Sequence, residues 1–87
     1  MRISIIIPLY NASSYLYHSL NTLLSQPFQD IEIILVDDGS TDESPAICDE
    51  YARKDGRIKV FHEAHSGVAH SRHVGLDHAI GEYILYV

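Results

Sequence analysis

The chain is poor in the residues that indicate a secreted, membrane-spanning or nucleic-acid-binding protein. Its single cysteine, Cys48, can form no internal disulfide, and apolar neighbours in a predicted helix favour a buried small side chain over a nucleophile. Six Lys and Arg against twelve Asp and Glu give a formal net charge of −6, which argues against a nucleic-acid surface. No apolar run approaches the roughly 20 residues of a membrane helix. The amino terminus lacks a signal-peptide pattern, so we expect a cytoplasmic protein.

The 87 residues suffice for one small domain, and their pattern predicts an α/β fold. Apolar, β-branched runs alternate with stretches whose apolar side chains recur at helical spacing, in the order βαβαβαβ. Runs that are apolar on both faces are typical of a parallel sheet covered on both sides. The sequence therefore predicts a Rossmann-like parallel sheet, with strands at 2–8, 31–36, 58–62 and 82–87 and helices at 11–25, 44–54 and 68–79.

Polar and glycine residues predict where the three helices begin and end. Asn11 or Ser13 is the expected cap of the first helix, and Ser44 is the expected cap of the second, with proline in its first turn. Gly81 is the expected left-handed residue that closes the third helix.

The carboxyl ends of the first two predicted strands carry candidate binding residues, since ligands of open parallel sheets bind there. The turn after the first strand reads Pro-Leu-Tyr-Asn-Ala from residue 8, without the glycines of a dinucleotide-binding turn or the lysine of a P-loop. Both classes are therefore excluded. Tyr10 offers a flat ring that can stack on a base. Asp37 and Asp38 can accept hydrogen bonds from a base or ribose, or can bond their own turn.

The start of the third predicted helix is a second candidate. Ser66, Gly67 and Val68 present backbone N–H groups at the positive end of the helix dipole, which suits a diphosphate. Arg72 can reach the same ligand or can be an ordinary surface arginine. Five histidines lie between residues 62 and 78, but they point in different directions and no cysteine joins them. We therefore expect no metal to bind this chain.

Four segments form a set that is more specific than any one of them. Residues 5–11 read Ile-Ile-Ile-Pro-Leu-Tyr-Asn, and residues 30–42 read Asp-Ile-Glu-Ile-Ile-Leu-Val-Asp-Asp-Gly-Ser-Thr-Asp. Gly67, Arg72 and Gly75 follow, and residues 81–87 read Gly-Glu-Tyr-Ile-Leu-Tyr-Val. In order and spacing, from residue 3 to residue 87, the set resembles glycosyltransferase family 2. The resemblance implies the N-terminal half of a GT-A fold.

The same resemblance implies an inverting enzyme that transfers a sugar from a nucleotide-diphosphate sugar, which we expect to be a UDP-sugar. Ser71, His73 and His65 stand where the family pattern has alanine, asparagine and asparagine, so the contacts to the diphosphate differ from that pattern. The expected nucleotide-binding residues are Pro8, Tyr10, Asp37, Asp38, Gly67 and Arg72.

In the family, the fourth strand runs into an Asp-x-Asp motif that holds Mg²⁺ or Mn²⁺, and a later carboxylate acts as the base. We therefore expect residues 1–87 to be the N-terminal nucleotide-binding part of a longer domain, without catalytic residues, a bound metal or transfer activity of its own. The implied partners are the donor and a saccharide or lipid-linked acceptor, at the inner face of the membrane in the intact enzyme. Two alternatives are a nucleotide-binding module without catalysis and a flavodoxin-like interaction domain, in which Asp37 and Asp38 bind one cation.

The fourth predicted strand also indicates an interaction between copies of the chain. We expect this strand to lie beside the first at the edge of the sheet, where no lysine or proline protects residues 83–87 from pairing with another chain. Leu76 and Ile80 are expected to add apolar surface. A two-fold dimer is the simplest closed arrangement.

Overall fold

The computed structural model describes residues 2–27 and 30–87, which form a four-stranded parallel sheet with helices on both faces. The strand order is β3-β2-β1-β4, so the predicted α/β class, the parallel sheet and the place of the fourth strand beside the first are confirmed. No helix in the described ranges has the length and apolar character needed to cross a bilayer. The elements are β1 (Ile3–Leu9), α1 (Leu16–Leu24), β2 (Ile31–Asp38), α2 (Ser44–Lys54), β3 (Ile58–Glu63), α3 (Val68–His78) and β4 (Tyr83–Tyr86).

Alternation along β2 divides its buried side chains between two cores. Ile33 and Leu35 pack in the core that contains side chains of α1 and α2, whereas Ile34 and Val36 pack in a second core with Val74 of α3. Successive side chains of a strand point to opposite faces of the sheet. The two carboxylates that end β2 therefore belong to different faces: Asp37 continues the α2 face and Asp38 continues the α3 face.

The order of the strands places a switch point at β1. The chain passes from β1 through α1 to β2 and through α2 to β3, moving away from β1 in one direction. It then returns through α3 to β4, on the opposite side of β1. In open parallel sheets, ligand clefts form at the carboxyl end of the strand where this reversal occurs.

The first two helices do not begin with the expected side-chain caps, so that prediction is wrong. α1 begins at Leu16, and Asn11 lies well before it in a left-handed conformation with φ 50°. The side-chain oxygen of Asn11 accepts the N–H of Thr41 at 2.8 Å. Ser44 Oγ accepts the N–H of Ala12, also at 2.8 Å. These residues tie the β1–α1 turn to the β2–α2 loop instead of capping helices.

A buried carboxylate holds the connection between α3 and β4 against the sheet. Glu32, 3% exposed, accepts hydrogen bonds from Lys59 Nζ at 2.8 Å, from the Ile80 N–H at 2.6 Å and from Ser4 Oγ. Ser4 Oγ in turn accepts the N–H of Gly81, which lacks the predicted left-handed φ. Burial alone would raise the pKa of Glu32, but these donors, Lys59 foremost, lower it to about 2.

We predict that Glu32→Ala lowers the free energy of unfolding by about 2–4 kcal/mol, because it leaves buried donors without an acceptor. Urea denaturation at pH 7 measures the change. Glu50→Ala is the matched control: its carboxylate forms an exposed pair with Lys54, so the loss there is expected to stay below about 0.5 kcal/mol. Equal losses in the two variants would contradict this account of Glu32.

We also predict that the stabilisation from Glu32 depends on pH, which the Glu32→Ala variant can test. Because the pKa of Glu32 falls from 4.5 to about 2 on folding, its stabilisation is complete above pH 4.5 and is lost as the pH falls toward 2. The difference in unfolding free energy between the wild type and Glu32→Ala should therefore shrink over that range. A difference that stays constant from pH 6 to about pH 3 would count against the prediction.

Candidate functional site

A cleft of about 210 Å³ opens at the carboxyl end of β1, at the switch point of the sheet. The end of β1 and the turn after it form one wall, the last residue of β2 lies at the cleft, and the loop before α3 and its first turn form the other wall. The lining residues are Pro8, Leu9, Tyr10, Asp38, His65, Gly67, Val68 and Ser71. Four of the six residues predicted to bind a nucleotide thus come together here: Pro8, Tyr10, Asp38 and Gly67.

Asp38 connects β2 to the start of α3. Its carboxylate, in a residue that is 4% exposed, accepts the N–H groups of Ser66 at 2.8 Å and Gly67 at 2.9 Å. Burial alone would raise the pKa of Asp38, but these two donors and the nearby His65 hold it below its usual range. Two of the N–H groups expected to receive a diphosphate therefore already donate to Asp38, and a diphosphate contact from them stays a prediction.

Tyr10 forms the aromatic part of the cleft. It is 45% exposed, and its ring lies 4.3 Å from the imidazole of His65, centroid to centroid, with the planes inclined by 35°. His65 is held in place because its Nδ1 lies 3.0 Å from the carbonyl oxygen of Asp38. Gly39 permits this packing: its φ is +74°, and a Cβ there would lie 2.7 Å from the backbone nitrogen of His65. Tyr10 therefore has a fixed position and an open ring surface.

Asp37 lies on the opposite face of the sheet from the cleft. It is 2% exposed; one carboxylate oxygen accepts the N–H of Ser40 at 3.0 Å, and the other lies 2.9 Å from His62 Nδ1. The second nitrogen of His62 lies 2.8 Å from Asp49 of α2. The bonds to Asp37 and then to Asp49 raise the pKa of His62. A nucleotide contact from Asp37 stays a prediction, and its position favours an indirect role through the turn.

The divergence of the two aspartates also bears on the alternative in which they share one cation. Asp37 bonds His62, which in turn bonds Asp49 of α2, whereas Asp38 bonds the N–H of Gly67 before α3, so this geometry argues against a common ligand between them. Within residues 2–27 and 30–87, no three His, Cys, Asp or Glu side chains converge to hold a metal. Burial, with nearby carboxylates, raises the pKa of Cys48 to about 12, so its thiol is neither a nucleophile nor a ligand at neutral pH.

Arg72 is placed outside the cleft. It is exposed on α3, and its guanidinium carbon lies 5.8 Å from the centre of the Tyr86 ring on β4. This is the distance of a cation–π contact. A contact between Arg72 and a nucleotide stays a prediction.

Four lining residues were not among the predicted site residues: Leu9, His65, Val68 and Ser71. His65 and Ser71 carried a signal, since both depart from the pattern of the family that the chain resembles. Leu9 carried none, because an apolar residue at the end of a strand is expected in any α/β core. Val68 was named above only for its backbone N–H at the start of the third helix, and its side chain carried no signal.

Comparison with known proteins agrees with this architecture. A family model described as "Glycosyl transferase family 2" matches residues 4–87. The chain belongs to this family. The predicted family and its GT-A fold are therefore confirmed.

Curated relatives in the family are longer than this chain. It is 45% identical over 86 residues to glycosyltransferase GlyG of Streptococcus pneumoniae serotype 4, covering 98% of this chain and 29% of GlyG. Over 85 residues it is 44% identical to the uncharacterized glycosyltransferase EpsJ of Bacillus subtilis, covering 98% of this chain and 25% of EpsJ. The chain thus spans between a quarter and a third of the length of these two relatives.

Solved structures with a similar fold include two that contain nucleotides. Staphylococcus aureus TarS 1-349 in complex with UDP superposes with a TM-score of 0.90 at 38% identity, covering 100% of this chain and 27% of that one. The mannosyltransferase PcManGT of Pyrobaculum calidifontis, in complex with GDP-Man and Mn²⁺, superposes with a TM-score of 0.87 at 27% identity, covering 95% and 26%. Two solved structures similar to this chain thus hold nucleotides, and one of the two also holds a divalent metal.

We predict that His62 stabilises the fold in a pH-dependent way. Its pKa is raised above 6.5 in the folded chain, so its contribution is complete below pH 6.5 and is lost as the pH rises through the folded-state value. Because His62 is partly exposed, the contribution should stay below about 1 kcal/mol. Urea denaturation of His62→Gln, with the exposed His73→Gln as control, should show a deficit at pH 6 that disappears by about pH 8.5. A deficit independent of pH would refute this.

Proposed function

We propose that the cleft binds the nucleotide of a nucleotide-diphosphate sugar, with UDP as the preferred nucleotide, in an inverting glycosyltransferase of family 2. The observation that carries the proposal is the meeting of the Tyr10 ring and the Asp38 carboxylate at the switch point of the sheet. The UDP-bound structure of TarS, which superposes over the whole chain, supports the choice of UDP.

The two side chains suit different parts of a nucleotide. A base stacked on Tyr10 is held by its π-face, which every base has, so this contact alone gives little selectivity. Asp38 is ionised at neutral pH because its pKa is lowered, and a carboxylate accepts hydrogen bonds without donating any. The imide N–H of uracil is a suitable donor, whereas cytosine presents a lone pair at the same ring position and would be repelled.

The sugar-transfer step requires a metal site, an acceptor site and a catalytic base, which we place in a longer protein that contains this chain. The described residues contain no cluster fit to hold Mg²⁺ or Mn²⁺, so the proposal places a metal on residues of the longer protein. The leaving diphosphate, the saccharide or lipid-linked acceptor and the base that deprotonates it are accordingly placed beyond the cleft. A cytoplasmic site at the inner face of the membrane fits such an acceptor. Residues 1–87 are then the nucleotide-binding part of the domain.

We predict that UDP shifts NMR signals around Tyr10, Asp38 and Gly67 at millimolar concentration or below. Asp38→Asn should weaken binding by about 1–3 kcal/mol, because it replaces a charged acceptor with a neutral amide. Asp77→Asn, an exposed site on α3, is the matched control and should bind as the wild type does. Wild-type spectra without UDP-dependent shifts would overturn the proposed function, and equal affinity of Asp38→Asn would remove Asp38 from it.

We also propose that the 87-residue chain self-associates through β4. This edge strand carries exposed apolar side chains along its whole length, and Leu76 and Ile80 of the neighbouring segment are 45% and 64% exposed. An edge strand of this kind pairs readily with a second copy.

Self-association should strengthen as the pH falls. Protonation of all six histidines would change the formal charge from −6 to 0 and remove the repulsion between copies. Sedimentation at high micromolar concentration should therefore give more dimer at pH 5.5 than at pH 7.5. The substitution Leu85→Lys in β4 should weaken self-association at both pH values. A monomer under both conditions would refute the proposal.

A further inference from the structure

Ser71 is a buried polar side chain whose hydroxyl lacks a hydrogen-bond partner. It is 0% exposed on α3, and no atom in residues 2–27 or 30–87 bonds its Oγ. The hydroxyls of Ser44 and Ser66, at the same edge of the sheet, both have partners. Buried hydroxyls are nearly always hydrogen-bonded, because leaving one unbonded destabilises the fold. Ser71 therefore calls for a partner from outside the described chain.

The position of Ser71 indicates where that partner would lie. It lines the same cleft as Tyr10 and Asp38. Its backbone N–H is already used, since it donates to the carbonyl oxygen of Gly67 at 3.2 Å. Only the hydroxyl is left for a ligand. The family pattern has alanine at this position, so the feature belongs to this chain and is not explained by the family's shared contacts.

We propose that Ser71 is a specificity-determining residue, whose hydroxyl donates a hydrogen bond to O4 of the uracil base, the carbonyl that cytosine replaces with an amino group. This inference rests on the proposed function. The imide edge of uracil presents an N–H flanked by two carbonyl oxygens. Asp38 accepts a hydrogen bond from the N–H but cannot donate one to a carbonyl oxygen, because an ionised carboxylate is only an acceptor. The Ser71 hydroxyl is the donor that completes this recognition.

The proposal predicts opposite effects of one substitution on stability and on binding. Ser71→Ala removes a buried, unbonded hydroxyl, so the urea midpoint should rise. It also removes the donor to the base, so UDP affinity should fall roughly two- to tenfold, the usual range for one hydrogen bond. CDP, which lacks the imide, should bind weakly to both proteins, and the preference for UDP over CDP should shrink in the variant.

Ser19→Ala is the matched control. Ser19 lies inside α1, away from the cleft, so this variant gains the same helix propensity without changing the site. The urea midpoint of Ser71→Ala should exceed that of Ser19→Ala, and only Ser71→Ala should lose UDP affinity. Urea denaturation and NMR titrations of the 87-residue chain with UDP and CDP give both readouts.

Three outcomes of these measurements would contradict the role proposed for Ser71. A lower midpoint for Ser71→Ala, with or without a change in affinity, would assign the hydroxyl an internal structural role and overturn the proposal. Unchanged UDP affinity in Ser71→Ala, while Asp38→Asn still weakens binding, would overturn the role of Ser71 and leave the proposed function standing. A wild type that shows no UDP-dependent shifts would overturn both.

Discussion

The hydrogen bonds from the backbone N–H groups of Ser66 and Gly67 to Asp38 join the end of β2 to the start of α3, and the cleft exists because of this junction. The carboxylate lies at the positive end of the α3 dipole, where a negative charge is stabilised. It thereby fixes the loop that carries His65, which packs against Tyr10. One side chain thus places both walls of the cleft and remains charged at its edge.

A separate group of polar contacts holds the turns that follow β1 and β2, at the edge of the sheet where the cleft opens. Asn11 and Ser44 connect the β1–α1 turn to the β2–α2 loop, and Asp37 bonds the turn that follows it. These contacts are 2.8–3.0 Å long, and the one from Ala12 to Ser44 is buried, so they restrict the backbone on which Tyr10 sits. A binding surface organised before the ligand arrives loses less entropy on binding. These turn contacts therefore fix the backbone at the cleft independently of any bound molecule.

The fold was predictable because strands buried on both faces leave a strong apolar signal, as β1 and β2 do. The same property concealed the orientation of the two aspartates. Because β2 is buried on both faces, hydropathy does not show which of its side chains point to which face. The sequence therefore could not show whether Asp37 or Asp38 faces the cleft. The failed cap predictions have another cause. The side chain of Asn11 bonds Thr41, and the backbone N–H of Gly81 bonds Ser4, so the hydrogen-bond partners of both residues lie far away in sequence. Local patterns contain no such information.

The full burial of β2 between two cores has a consequence for how the family can vary in sequence. Substitutions that exchange one apolar side chain for another along this strand would alter packing while leaving the direction of each carboxylate intact. Insertion of a single residue ahead of Asp37 would instead turn every following side chain to the other face. Asp37 would then enter the cleft and Asp38 would meet α2. Insertions and deletions in this strand should therefore be rarer than replacements among family members that keep the cleft.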